Sequence, residues 1–79
     1  MTELTPQEIS SALQIVRDAT AAPDLRLEEA ADQRWTSHQT LDIIFAVERQ
    51  FGLEFSGELM ETIENFATLL KAIAAAMAH

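Results

Sequence analysis

The sequence predicts an all-α domain, a small bundle of three longer helices and one short one. Three observations carry that reading. Apolar residues recur at helical spacing in three separate stretches, which puts them on one side of each helix. Each stretch follows a residue that can cap a helix, namely Thr5, Thr36 and Asn65. No segment alternates long enough to give a strand a partner, and no internal repeat is visible. At 79 residues, positions 1–79 are read as a single domain. A domain this small buries a modest share of its surface.

The first helix follows a short lead-in, Met1 to Leu4. Thr5 can cap it, Pro6 suits its first turn, and Glu8 can complete a capping box. Leu4 and Ile9 stand where a hydrophobic staple would. Ile9, Ala12, Leu13 and Val16 form the apolar stripe. The helix is expected to fade between Asp18 and Thr20, ahead of Ala21-Ala22-Pro23. Residues 23–34 show no clear period. Leu25 and Leu27 alternate with Arg26 and Glu28, but a lone strand is not viable here. The segment is expected to be a long ordered loop, pinned to the core by Leu25 and Leu27, with room for one turn between Glu28 and Asp32. A loop of that length in a compact domain either carries function or is disordered.

The central helix is the longest amphipathic element. Thr36 caps it, Gln39 can return the second bond of a capping box, and Ser37 falls at the first helical position. Gly52 ends it. At roughly 100° per residue, Ile43, Ile44, Val47 and Phe51 share one sector and form its core stripe. Leu41 and Phe45 lie well off that stripe. His38, Asp42 and Arg49 share their side. Leu53-Glu54-Phe55 is expected to tuck Leu53 and Phe55 inward. Ser56 can cap a short helix to about Ile63, burying Leu59 and Ile63. Asn65 caps the last helix, where Phe66, Leu69, Leu70, Ile73 and Met77 continue at helical spacing.

Thirteen acids against five bases give a formal charge of −8. Nucleic acid is therefore not expected as a partner, since phosphate binding needs a basic face. A basic protein surface fits better, although acidity also serves plain solubility. The chain has no cysteine, so neither a disulfide nor a thiolate metal site is available. That composition is compatible with the cytoplasm. No basic segment leads into an apolar run, so no signal peptide is expected. The longest apolar stretch, Ala72 to Ala78, falls far short of the roughly 20 residues that span a bilayer, and no membrane insertion is expected.

Catalytic chemistry needs convergent groups, and none is visible. Ser37 and His38 are sequence neighbours, which on a helix point in different directions. His79 is the only other histidine. The carboxylates have no metal-ligand spacing. The chain is accordingly expected not to be an enzyme. Read bare, Ser37 is a helix-start residue, and Leu41 and Phe45 are either extra core contacts or an exposed anchor pair.

From Trp35-Thr36-Ser37-His38 through Phe51-Gly52-Leu53-Glu54-Phe55, the chain resembles the acyl and peptidyl carrier proteins, which are small acidic four-helix domains. In that family a Gly-x-Asp-Ser-Leu segment opens the second helix, and its serine bears a 4′-phosphopantetheine arm. Aligning that serine on Ser37 puts the family's helix end on Phe51-Gly52. It also puts the family's first, third and fourth helices on Thr5 to Val16, Ser56 to Ile63 and Phe66 to Ile73. The resemblance covers nearly the whole chain. This sequence departs from the motif where Arg34 replaces the glycine, Thr36 the aspartate and His38 the leucine.

The resemblance implies a four-helix bundle of acyl-carrier type. It implies an acyl or aminoacyl group held as a thioester on an arm that a phosphopantetheinyl transferase moves from coenzyme A to Ser37. The cargo would be delivered in fatty-acid, lipid or specialised-metabolite synthesis. Partners would be loading and transferring enzymes with basic patches, met by Asp42 and Glu48, with Glu54, Glu58 and Glu61 beyond. Leu41 and Phe45 would add apolar anchoring, and Thr36 and His38 would flank the arm on the partner face. The expected state is a cytoplasmic monomer. The departures at Thr36 and His38 leave a second reading, a degenerate, unmodified interaction module of the same fold.

Overall fold

Four of the five described helices begin where a side chain takes up one of the first free N–H groups. The computed structural model describes residues 4–78, in five helices: α1 (Pro6–Thr20), α2 (Leu27–Asp32), α3 (Ser37–Phe51), α4 (Gly57–Thr62) and α5 (Phe66–Met77). No strand occurs among the described residues. His79 and residues 1–3 lie outside them. Three of the four expected start signals are full reciprocal boxes. Thr5 Oγ1 accepts from the Glu8 N–H at 3.1 Å while Glu8 accepts from the Thr5 N–H at 2.8 Å. Thr36 and Gln39 repeat the arrangement on α3 at 3.1 and 3.0 Å. Asn65 and Thr68 repeat it on α5, both at 3.0 Å. Ser56 caps α4 through the Leu59 N–H at 3.2 Å.

The core is one cluster. Ala12, Leu13 and Val16 of α1 meet Ile43, Ile44 and Val47 of α3, with Phe66, Leu69, Ala72 and Ile73 of α5 completing it. Fully burying a side chain of the Val/Leu/Ile/Phe kind contributes about 1.5–3 kcal/mol, so these residues dominate the stability of the bundle. α1 lies against α3, and α5 packs against α1, α2 and α4. Phe55 and Ile63 are buried as expected, while Phe51, Leu53 and Leu59 are half-buried against the cluster. Leu4 and Ile9 also pack against it, at the two staple positions. The radius of gyration is 11.4 Å, close to the roughly 11.6 Å of a compact chain this long.

Three expectations need correction. The connection after α1 is not a plain loop, because Leu27–Asp32 form a full six-residue helix. The Arg26 N–H donates to Glu29 at 3.0 Å to start it, and the Arg17 side chain donates to the Leu25 carbonyl at 2.8 Å to hold the approach. Leu27 is not a core pin, being 46% exposed. It stands at the first position of α2, whose buried residue is Ala30. Leu25 alone does the pinning, half-buried against the core. Met77 is likewise exposed rather than on the stripe. The last fully buried residue of α5 is Ile73, and beyond it only Ala76 still packs, partly buried, against the core.

Candidate functional site

The start of α3 is organised so that Ser37 has no structural duty. Thr36 provides the cap, and its carbonyl accepts from both the backbone N–H and the hydroxyl of Thr40, each at 2.9 Å. Ser37 is exposed, and its hydroxyl has no hydrogen-bond partner among the described residues. A serine in the first turn would ordinarily be read as a cap, and here its neighbour has taken that role. The first turn of α3 holds no acidic residue. The positive end of the helix dipole is therefore not offset locally.

Ser37 stands at the junction of two clefts. One, of about 370 Å³, runs between α3 and α4 and is mostly apolar. Leu41 and Ile44 form one wall, and Met60 and Ile63 the other. The second, of about 220 Å³, is mostly polar and is lined by Arg34, Trp35, Thr40 and Glu64. Ser37, Thr40 and Ile63 border both. Part of this was readable in advance. Ser37, Thr40, Leu41 and Ile44 are spaced i, i+3, i+4, i+7, the stripe that one face of a helix presents. The contributions of Met60, Ile63 and Glu64 were not readable, because they come from chain far from Ser37 in sequence.

Leu41 and Phe45 are surface residues, 48% and 54% exposed. Neither is buried in the core. His38 and Asp42 form an i, i+4 pair, Nε2 to Oδ2 at 3.3 Å, with both side chains in solvent. The pair carries an ionic interaction only when the imidazole is protonated. An exposed pair of this kind adds little to stability, and it gives the rim of the α3 face a defined polar edge. Glu48 differs from its neighbours. It is half-buried, and its carboxylate accepts from the Phe55 N–H at 2.9 Å. One of its oxygens thus serves the turn after α3. Glu54, Glu58 and Glu61 are all exposed, and Glu61 also borders the apolar cleft.

Among the described residues no group of three or more His, Asp or Glu side chains is placed to hold a metal ion. No described helix is long and apolar enough to cross a membrane. What the arrangement offers chemically is one accessible primary hydroxyl at a helix start, an apolar trough on one side of it and a polar recess with one cation on the other. Compared with known proteins, the chain matches no family model, no curated protein and no solved structure.

Proposed function

We propose that this protein is a carrier of acyl-carrier type. It would hold an acyl or aminoacyl group as a thioester on a 4′-phosphopantetheine arm at Ser37 and present it to partner enzymes of fatty-acid, lipid or specialised-metabolite synthesis. The observation that carries this reading is the Ser37 hydroxyl, exposed and unpartnered at the start of α3 while Thr36 caps the helix. Helix order supports it too, since the resemblance implies four helices at the positions of α1, α3, α4 and α5, and α2 adds a short helix in the first connection.

The residues present fit the arm. The phosphodiester would lie at the start of α3, where free backbone N–H groups and the absence of an acid favour an anion. In loading, Ser37 Oγ would form a bond to phosphorus as the bond between the two linked phosphates of coenzyme A breaks. Adenosine 3′,5′-bisphosphate would leave, and the hydroxyl proton would pass to a base of the transferase. When bound, the arm supplies the thiol that this cysteine-free chain lacks. The chain's own residues position and address it. Leu41 and Phe45 give a partner an apolar anchor. The net charge of −8, including Asp42, Glu58 and Glu61, steers basic surfaces toward that face.

The test is intact mass after incubation with coenzyme A and broad-specificity transferases. Wild type should gain one arm and Ser37→Ala none. Wild type unchanged with every transferase would sink the proposal. A second reading, an unmodified interaction module, is favoured by one observation: Thr36 and His38 leave no carboxylate beside Ser37. It predicts a stable partner that co-purifies equally with wild type and Ser37→Ala.

A further inference from the structure

The polar cleft has no part in the carrier reading so far. Its lining is unusual for this protein. The chain has five basic residues in all, and one of them, Arg34, borders the cleft that Ser37 opens into. Arg34 is exposed and makes no ion pair with any described residue. Glu64, a carboxylate of the opposite sign, also borders the recess and makes no ion pair with Arg34. Trp35 forms a further part of the wall and is half-buried, its indole N–H donating to Gln33 at 3.3 Å. That bond fixes one edge of the indole and leaves the ring beside the recess. Arg34, which has no ion-pair partner among the described residues, Trp35 and Ser37 therefore border one space of about 220 Å³.

We infer that Arg34 is the positioning residue for the phosphodiester at Ser37, holding that anion in the polar cleft beside Trp35. The inference rests on the carrier reading and adds to it where the phosphate lies and what grips it. A guanidinium presents several N–H donors in a fixed fork, which suits two oxygens of one phosphorus centre. The apolar cleft cannot take this group, because a phosphodiester among Leu41, Ile44 and Met60 would lose its hydration with no partner. The polar cleft gives it mostly polar walls and a cation in Arg34. The two clefts thereby sort the two ends of whatever Ser37 bears. With Arg34 turned to the phosphate, Glu64 is a competing carboxylate, and its removal should tighten the contact.

The chain supplies its own reporter. It has one tryptophan and no tyrosine, so its emission reads Trp35 alone. The experiment compares Trp35 emission and the phosphorus NMR shift of the loaded protein in wild type, Arg34→Gln, Arg34→Lys and Glu64→Gln, with loading verified by mass in each. Loading should change Trp35 emission in wild type. In Arg34→Gln that change should fall at least about two-fold, as a charge-assisted contact is lost, and the phosphorus shift should move. Arg34→Lys should recover part of both signals, and Glu64→Gln should enlarge them. High salt should erode the difference between wild type and Arg34→Gln, since the contact is exposed. Equal emission changes and equal phosphorus shifts in loaded wild type and loaded Arg34→Gln would overturn the inference and leave the carrier reading standing. A wild type that gains no arm would overturn both.

Discussion

α1 and α3 are built to the same plan and do different things. Both have fifteen residues, both start on a threonine capping box, and both end on a left-handed residue. Each buries three side chains against the other's face of the core. They part on their remaining surface. The outer side of α1 carries Gln7, Ser10, Gln14 and Asp18, and no large apolar residue is exposed there. The outer side of α3 carries Leu41 and Phe45, both about half in solvent. Where α1 opens with Pro6 and an acid at Glu8, α3 opens with Ser37 and no acid. Packing accounts for the large apolar residues of α1. It leaves Ser37, Leu41 and Phe45 on α3 unexplained, and those are the residues the proposed function uses.

The contrast within α3 is the first place to test this. Ile43 is fully buried, so Ile43→Ala removes contacts and leaves a void. It should destabilise the protein by about 2–5 kcal/mol, a large part of the roughly 4–12 kcal/mol available to a domain of this size. Leu41→Ala and Phe45→Ala should each change stability by no more than about 0.5 kcal/mol. Urea unfolding measures all three. The two surface variants should still load at Ser37 and should lose affinity for a partner enzyme. A cost above about 2 kcal/mol for Phe45→Ala would mark it as a packing residue and remove it from the partner face.

The next effect separates Glu48 from the other acids. Its carboxylate accepts the Phe55 N–H, and Phe55 is a core residue. Glu48→Ala should cost about 1.5 kcal/mol, as a half-buried charge-assisted bond is lost. Glu48→Gln should recover most of it, because the amide oxygen still accepts. Glu58→Ala and Glu61→Ala, on the exposed side of α4, should be nearly neutral in the same unfolding assay. Equal losses across all three acids would show that general charge, not the bond to Phe55, is what the assay reads.

These two cases show which parts of the fold the sequence could reveal. Helix starts were legible because a cap and the N–H it binds lie within four residues, as at Thr5, Thr36, Ser56 and Asn65. The stripes of α1, α3 and α5 were legible because each runs for two turns or more. α2 was not, because six residues hold too few turns to display a period, and its one buried residue, Ala30, looks like any other alanine. Leu27 was misjudged for the same reason. Side-chain type favours burial, but position in a short helix decided exposure. The site divides the same way. Ser37, Thr40, Leu41 and Ile44 follow from helical spacing, whereas the far walls at Met60, Ile63 and Glu64 depend on how α4 and the turn after it fold back. The bond from Phe55 to Glu48 spans seven residues and has no sequence signature.

Thr36 links the fold to the site, and its effects should split accordingly. Thr36→Ala deletes the cap and should cost about 1 kcal/mol. Thr36→Asp keeps a capping oxygen and introduces the carboxylate that the carrier motif has when its serine is aligned on Ser37. It should leave stability nearly unchanged in urea and speed the loading of Ser37 by a transferase that prefers the family motif. An unchanged loading rate would show that the transferase does not read this position.

The smallest effect compares how the two long helices stop. α1 ends on Ala21 at φ 55°, ψ 40°, and α3 ends on Gly52 at φ 64°, ψ 41°. The backbone is the same, and only one of the two residues suits it, because a Cβ in the left-handed region crowds the carbonyl. Ala21→Gly should relieve roughly 1–2 kcal/mol of that crowding and lose roughly 0.4–1 kcal/mol to a freer unfolded chain. The net gain should lie between about 0 and 1.6 kcal/mol. Gly52→Ala should lose the same amount. A Cβ built there has nothing within 4 Å, so backbone strain is the whole cost. The two substitutions are mirror images, and their double variant should unfold at the wild-type urea midpoint. If Gly52→Ala costs much more than Ala21→Gly gains, the excess belongs to the turn beyond α3. There the Glu48 carbonyl also accepts the Leu53 N–H at 3.1 Å, and any shift in Gly52 would pull on the Phe55 anchor as well.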